Sequence, residues 1–174
     1  LGGTQRPARI SGIPAARWAV LAGNFMDAKT AADLGLVTDL VDIAEVGSTI
    51  ISLDASGKPE NKYPGKPANP DSKVAQFANS FYSDENIATV LAGNCPEGFD
   101  SEDKGVSRQM KSLSRTAPIA LSLASDLINA AGKTNLSEGL GQELGNLEKI
   151  FSTNDALEGL SALIEGRKPT YQNS

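Results

Sequence analysis

Apolar residues along this chain recur at intervals of three and four more often than in alternation, the period of helices with one buried face. Trp18, Leu21 and Ala22 share such a face between Pro14, suited to a first helical turn, and a Gly23-Asn24 stop. Asp27 holds an N-cap position ahead of Ala31, Ala32 and Leu34, and Gly35 that of a C-terminal cap. Val74, Phe77, Ala78 and Phe81 form a stripe behind Asn69-Pro70, and Ile87, Val90 and Leu91 run from Ser83-Asp84 to Gly93. Val106, Met110 and Leu113 predict a helix beginning at Asp100 or Ser101, and Ile119, Leu123 and Leu127 one opened by Thr116 and Pro118. The longest stripe, Leu136, Leu140, Leu144, Leu147 and Ile150-Phe151, is a packing surface. Asp155 and Glu158 resemble a capping box for a last helix, with Leu157, Leu160 and Ile164 apolar and Gly166 at its end.

Two short stretches depart from this period. Leu36, Val37, Leu40, Val41 and Ile43, interleaved with Thr38, Asp39 and Asp42, predict an extended segment, and Ile50-Ile51-Ser52-Leu53 a second short strand. From Ser56 to Pro70 the chain then holds four prolines, two glycines and three lysines, a composition that neither completes a ladder nor buries apolar surface. The expected organisation is a front part over residues 1–46, an insertion or linker over 47–70, and a helical region over 71–174. The fold class is mainly α, with one or two short strands near the N-terminus.

Composition narrows the chemistry. The chain has no histidine and one cysteine, Cys95. That removes any catalysis needing an imidazole base, any disulfide within the chain and the usual zinc site, so no metal is expected. Cys95, in a Cys-Pro-Glu-Gly turn without a base beside it, reads as an inert packed thiol. The net charge of -5 and pI near 4.8 argue against nucleic acid as a partner. Charge is uneven: Arg6, Arg9, Arg17 and Lys29 against Asp27 make residues 1–30 net positive, which suits a small anionic ligand. Lys104, Arg108, Lys111 and Arg115 share a second basic face that meets either water or such a ligand. No apolar run reaches the length of a membrane span, no signal peptide opens the chain, and a cytoplasmic location is the expectation.

The candidate site is at the front. Leu1-Gly2-Gly3-Thr4-Gln5-Arg6 places two glycines, which permit a sharp bend and close approach, before a hydroxyl, an amide and a guanidinium. This LGGTQR, the later Ala31-Ala32-Asp33-Leu34-Gly35-Leu36-Val37, and the closing Phe151-Ser152-Thr153-Asn154-Asp155-Ala156-Leu157-Glu158-Gly159 through Arg167-Lys168-Pro169 resemble the enoyl-CoA hydratase/isomerase (crotonase) superfamily. The resemblance covers about residues 1–46 and 105–171. It implies that the chain is the C-terminal helical part of a crotonase-like α/β spiral, begun inside a motif.

The resemblance implies an acyl-CoA thioester as substrate. Two backbone N–H groups hold its carbonyl oxygen while the enolate-like transition state gains charge there, and two glutamates flank a water as acid and base. Those groups are expected upstream of Leu1, so no catalytic residue is expected in this chain, and Glu138, Glu143, Glu148 and Glu158 are assigned to cap or solvent positions. Gly2 and Gly3 match the glycines bordering the reacting end of the acyl-CoA. Leu147, Phe151, Arg167 and Lys168 match or adjoin the region that meets its adenine and phosphate end, where Gly166 stands in place of the family's lysine. No separate cofactor is expected, NAD entering only if the whole protein is fused to a 3-hydroxyacyl-CoA dehydrogenase; the insertion and Ser112–Leu121 resemble the hydratase portion of such fused proteins. The expected partners are acyl-CoA, the missing N-terminal half and, through trimer-type contacts, further copies of the chain. The alternatives are a helical oligomerisation module and a 3-hydroxyacyl-CoA hydrolase branch.

Overall fold

A computed structural model describes residues 1–57 and 68–174. Lys58 to Pro67, which make up most of the proline- and lysine-bearing stretch from Ser56 to Pro70, lie outside the described residues. The described chain is helical: α1 (Arg6–Ser11), α2 (Ile13–Leu21), α3 (Ala28–Asp33), a 3-10 turn (Ile43–Glu45), α4 (Val46–Ala55), α5 (Lys73–Phe81), α6 (Ile87–Leu91), α7 (Lys104–Leu113), α8 (Pro118–Ala130), α9 (Leu136–Gly145), α10 (Leu147–Phe151) and α11 (Asn154–Glu165).

The core forms where the strongest stripes meet. α2 packs on α1, α5 and α8, bringing Ala16, Leu21, Phe81, Val90, Leu113 and Ile128 together with little or no exposure. Phe81 stacks on Phe77 at 5.1 Å and meets Phe99 and Tyr82 edge-on at 5.0 Å, arrangements that suit the charge distribution of aromatic rings. This core draws on both sides of the 47–70 segment.

Several buried polar side chains are tied together. Arg17 donates to the Tyr82 carbonyl at 2.8 Å, Asp84 at 2.7 Å and Asn129 at 2.7 Å. Gln109 exchanges two hydrogen bonds with Asn24 and accepts one from the Tyr82 hydroxyl at 2.9 Å. Burial also pushes the Tyr82 hydroxyl well above the usual phenol range, keeping it a donor.

The helix signals hold at several ends. The Asp27 carboxylate caps α3 by accepting from Thr30 N–H at 2.7 Å, and Gly35 and Gly93 take the positive φ of +72° and +80° that ends α3 and α6. α7 starts later than predicted: Asp103, accepting from the Gly105 and Val106 N–H groups, is its cap, so Asp100 and Ser101 lie in the preceding turn. Likewise, α5 starts after Ser72 rather than at Pro70.

Three expectations are corrected. No strand forms among the described residues; Ile50 to Leu53 lie within α4, and Leu36 to Asp42 run without a partner. β-Branched residues make a strand only where another strand accepts their hydrogen bonds. Without one, α4 satisfies its backbone internally and leaves Ile50, Ile51 and Leu53 exposed. The long leucine stripe is not one helix: Gly145-Asn146 divides it into α9 and α10, Asn146 turning its N–H back to Gln142 and Glu143. The stripe is only partly covered, with Leu144 59% and Phe151 67% exposed, and α11 exposes Leu157, Leu160, Leu163 and Ile164. The third correction concerns Glu143.

Candidate functional site

The front turn is built so that a glycine is required at one of its two positions. Gly2 has φ +92°, where side chains are strained, and a Cβ there would stand 1.7 Å from the Arg6 guanidinium. Arg6 folds over it to donate to the Leu1 carbonyl at 3.1 Å, while its own N–H bonds the Gly2 carbonyl at 2.9 Å and starts α1. Gly3 is the opposite case. It is exposed, and no atom lies within 4 Å of a Cβ built on it, so its backbone is approachable from outside.

Glu143, assigned from sequence to a solvent position, is buried at 7% exposure and clamps this turn from α9. One carboxylate oxygen accepts from the Gly2 N–H; the other accepts from the Thr4 N–H at 2.9 Å and from the Thr4 hydroxyl. Burial alone would raise the carboxyl's pKa. The donors from Thr4 and Gly2 outweigh it and hold the group below its ordinary value. A carboxylate with both oxygens engaged and a lowered pKa is a poor proton acceptor, so Glu143 is a positioning group for the turn.

The rest of the motif is held by α8 and the turn between α8 and α9. Gln5 has no exposed surface; its amide donates to the Leu127 carbonyl of α8 at 2.7 Å and to the Thr4 hydroxyl at 3.2 Å. Arg9 donates to the Gln5 side-chain carbonyl at 3.1 Å, the Thr134 carbonyl at 2.6 Å and the Asn135 carbonyl at 3.0 Å. These two side chains fit because α9 has a glycine beneath them: a Cβ on Gly139 would meet the Gln5 carbonyl oxygen at 1.9 Å. Gly139 and Glu143 are four apart and therefore share one face. An interior glycine followed one turn later by a carboxylate is the sequence signal that locates this contact.

The other predicted binding residues lie at a separate place. Arg167 and Lys168 line a cavity of about 680 Å³ between α6, the α7–α8 turn, the start of α8 and the C-terminal tail. Phe151 lines a neighbouring one of about 320 Å³, which shares Thr116 and Tyr171 with the first, and Leu147 is half-buried in α10 and lines neither. Arg167 donates to Glu158 at 2.6 and 2.9 Å and to Glu165 at 2.5 Å. Its guanidinium, with the Thr170 N–H, draws the Glu158 carboxyl down to about 2. Asp155, buried, fixes the tail by accepting from the Gln172 and Asn173 N–H groups at 2.7 and 2.9 Å. Lys104, Arg108 and Lys111 face outward along α7. Among the described residues no three His, Cys, Asp or Glu side chains converge as a metal site would require.

The motif thus proves to be a three-dimensional unit. Over 81 residues the chain is 31% identical to a protein of Arabidopsis thaliana named probable enoyl-CoA hydratase 2, mitochondrial, covering 47% of this chain and 27% of that protein. Over 98 residues it is 24% identical to a probable mitochondrial enoyl-CoA hydratase of Dictyostelium discoideum, covering 48% and 35%. The chain is thus similar to proteins named as enoyl-CoA hydratases, in line with the resemblance its motifs carry. It spans about a third or less of the length of these curated relatives. No family model and no solved structure matches it. Its described residues are mainly α, in keeping with the helical C-terminal part of a crotonase-like fold. Among the described residues no helix is long and apolar enough to cross a membrane. Both relatives are named as mitochondrial, so they lend no support to a cytoplasmic location.

Proposed function

We propose that the chain is the C-terminal part of an enoyl-CoA hydratase-type enzyme and that its front turn forms one wall of the acyl-CoA thioester site. The observation that carries this is the clamp on Gly2 to Arg9. Four side chains of the motif, together with Gly139 and Glu143, are devoted to fixing a turn whose second glycine stays open to approach. A rigid, open backbone is what a site needs when preorganised positions, rather than flexible side chains, must fit a transition state.

In this reading the proton-handling glutamates and the oxyanion donors belong to polypeptide upstream of Leu1, and this chain alone is inactive. Hydration is favoured over isomerisation or hydrolysis because both relatives are named hydratases. The chain's own contribution is to hold Gly2 and Gly3 against the reacting end, with Leu147 and Phe151 as candidates for the distal end of the substrate, while Arg167, engaged by Glu158 and Glu165, and Lys168 line a separate cavity. The test is to extend the chain upstream to the length of its relatives and assay hydration of crotonyl-CoA. Hydration, lost when the glutamates within that extension are replaced, is the expected result; neither binding of CoA thioesters nor hydration would refute it.

A second role rests on its own observation. Leu157, Leu160, Leu163 and Ile164 are each more than half exposed on α11, an apolar face of the kind that meets another subunit. Sedimentation of the chain at rising concentration tests that role, and a strictly monomeric species contradicts it.

A further inference from the structure

The larger cavity has a composition that the thioester site does not account for. Its walls are aliphatic: Val90 and Leu91 of α6, Leu113 of α7, Leu121 of α8 and Pro169 of the tail, with the Tyr171 ring at one side. Val90, Leu113 and Leu121 belong to the core cluster, so the apolar floor is continuous with the packed interior. Arg115, Arg167 and Lys168 supply the charge, and no carboxylate is among the lining residues.

The charges are not equivalent. Arg167 is already engaged by Glu158 and Glu165, whereas among the described residues Arg115 and Lys168 have no carboxylate within ion-pair distance. Two unpaired cations, set against one net negative charge from the Arg167 group, leave a single positive charge at an apolar cavity. At about 680 Å³ it lies in the range of small-molecule sites.

We propose that this cavity binds an amphipathic monoanion, an aliphatic chain ending in a carboxylate, with the chain against Val90, Leu91 and Leu121 and the head between Arg115 and Lys168. A polyphosphate head is disfavoured, because a site with one net positive charge compensates one negative charge and the Glu158 and Glu165 carboxylates repel further ones. A neutral chain would leave both cations without a counter-ion. The proposal goes beyond the thioester reading and does not depend on it.

The test uses the chain as it stands, with decanoate as probe, titrated by calorimetry and by methyl NMR. The expected result is saturable binding that shifts the Val90, Leu91 and Leu121 methyls. Arg115→Glu and Lys168→Glu should each weaken it at least tenfold, and decanol should bind at least tenfold more weakly than decanoate. Both side chains are exposed, so these variants should fold, and an unchanged thermal melt verifies it. Leu91→Trp, which fills the cavity from a half-buried position, should abolish binding without touching either cation. No saturable binding by the wild type overturns the proposal. So does affinity unchanged by both charge reversals, shifts confined to the α11 methyls, or unacylated CoA occupying the cavity as tightly as decanoate. None of these outcomes bears on whether the extended chain hydrates crotonyl-CoA, so the two readings fail separately.

Discussion

Replacing Glu143 with alanine tests the clamp most sharply, because the carboxylate serves three donors at once. Its loss leaves the Gly2 and Thr4 N–H groups and the Thr4 hydroxyl without an acceptor, and each unsatisfied buried donor costs about 1–3 kcal/mol. Two effects reduce the sum: Thr4 is half-buried, so water reaches part of the vacated space, and the variant no longer buries a charge. We therefore expect a net loss of about 3 kcal/mol. For a domain of this size that is a fall in Tm of about 6–12 °C. Hydrogen exchange localises the effect: amides at Gly2 and Thr4 should lose protection before those of α2 and α8. Glu143→Gln should fall between, since its NH2 group faces donors rather than acceptors. Glu148→Ala, on the exposed surface, should change stability by less than about 0.5 kcal/mol. A Glu143→Ala chain that melts with the wild type and keeps front-turn protection would refute the reasoning.

Gly139→Ala should destabilise by about 1–3 kcal/mol, because its methyl group displaces the buried Gln5 amide from Leu127; a parallel loss in Gln5→Ala, with no additivity in the double variant, checks this in thermal melts. Gln109→Leu strands the Tyr82 hydroxyl and Asn24, at a cost of about 2–4 kcal/mol in chemical denaturation, whereas Tyr82→Phe with Gln109→Leu should recover part of it. Acid should act on both carboxylates that sit below their ordinary 4.5: the stability that Glu143 and Glu158 contribute is fully present above that value and lost as pH falls through the folded-state value, about 2 for Glu158. Melting curves between pH 6 and pH 2, at roughly matched salt, should show a smaller acid-dependent fall in Glu143→Ala than in the wild type.

Helix faces were legible because period and caps agree: Asp27, Gly35, Gly93 and Gly166 end or begin helices where their residue types predict. The segment from Leu36 to Leu53 was misread because its residues favour strand while no partner strand exists among the described residues, and strand stability depends on the partner. Glu143 was missed for a different reason. On a helix with polar neighbours a glutamate looks solvated, and only the approach of a turn 139 residues away buries it. Its one local sign was Gly139, four residues earlier. Arg167 and Lys168 are expected from the resemblance of the closing motif and from their charge, and the ion pairs of Arg167 with Glu158 and Glu165 separate their roles.

The central claim is that the clamped Gly2–Arg9 segment forms one wall of an acyl-CoA site, and hydration of crotonyl-CoA by the chain extended upstream of Leu1 tests it most directly. The account predicts turnover, followed as loss of the enoyl thioester's ultraviolet absorbance, and a marked loss of turnover in the Glu143→Ala version at a temperature where that variant remains folded. An extended, folded protein that neither binds nor hydrates a CoA thioester, or one whose turnover is indifferent to Glu143, contradicts it.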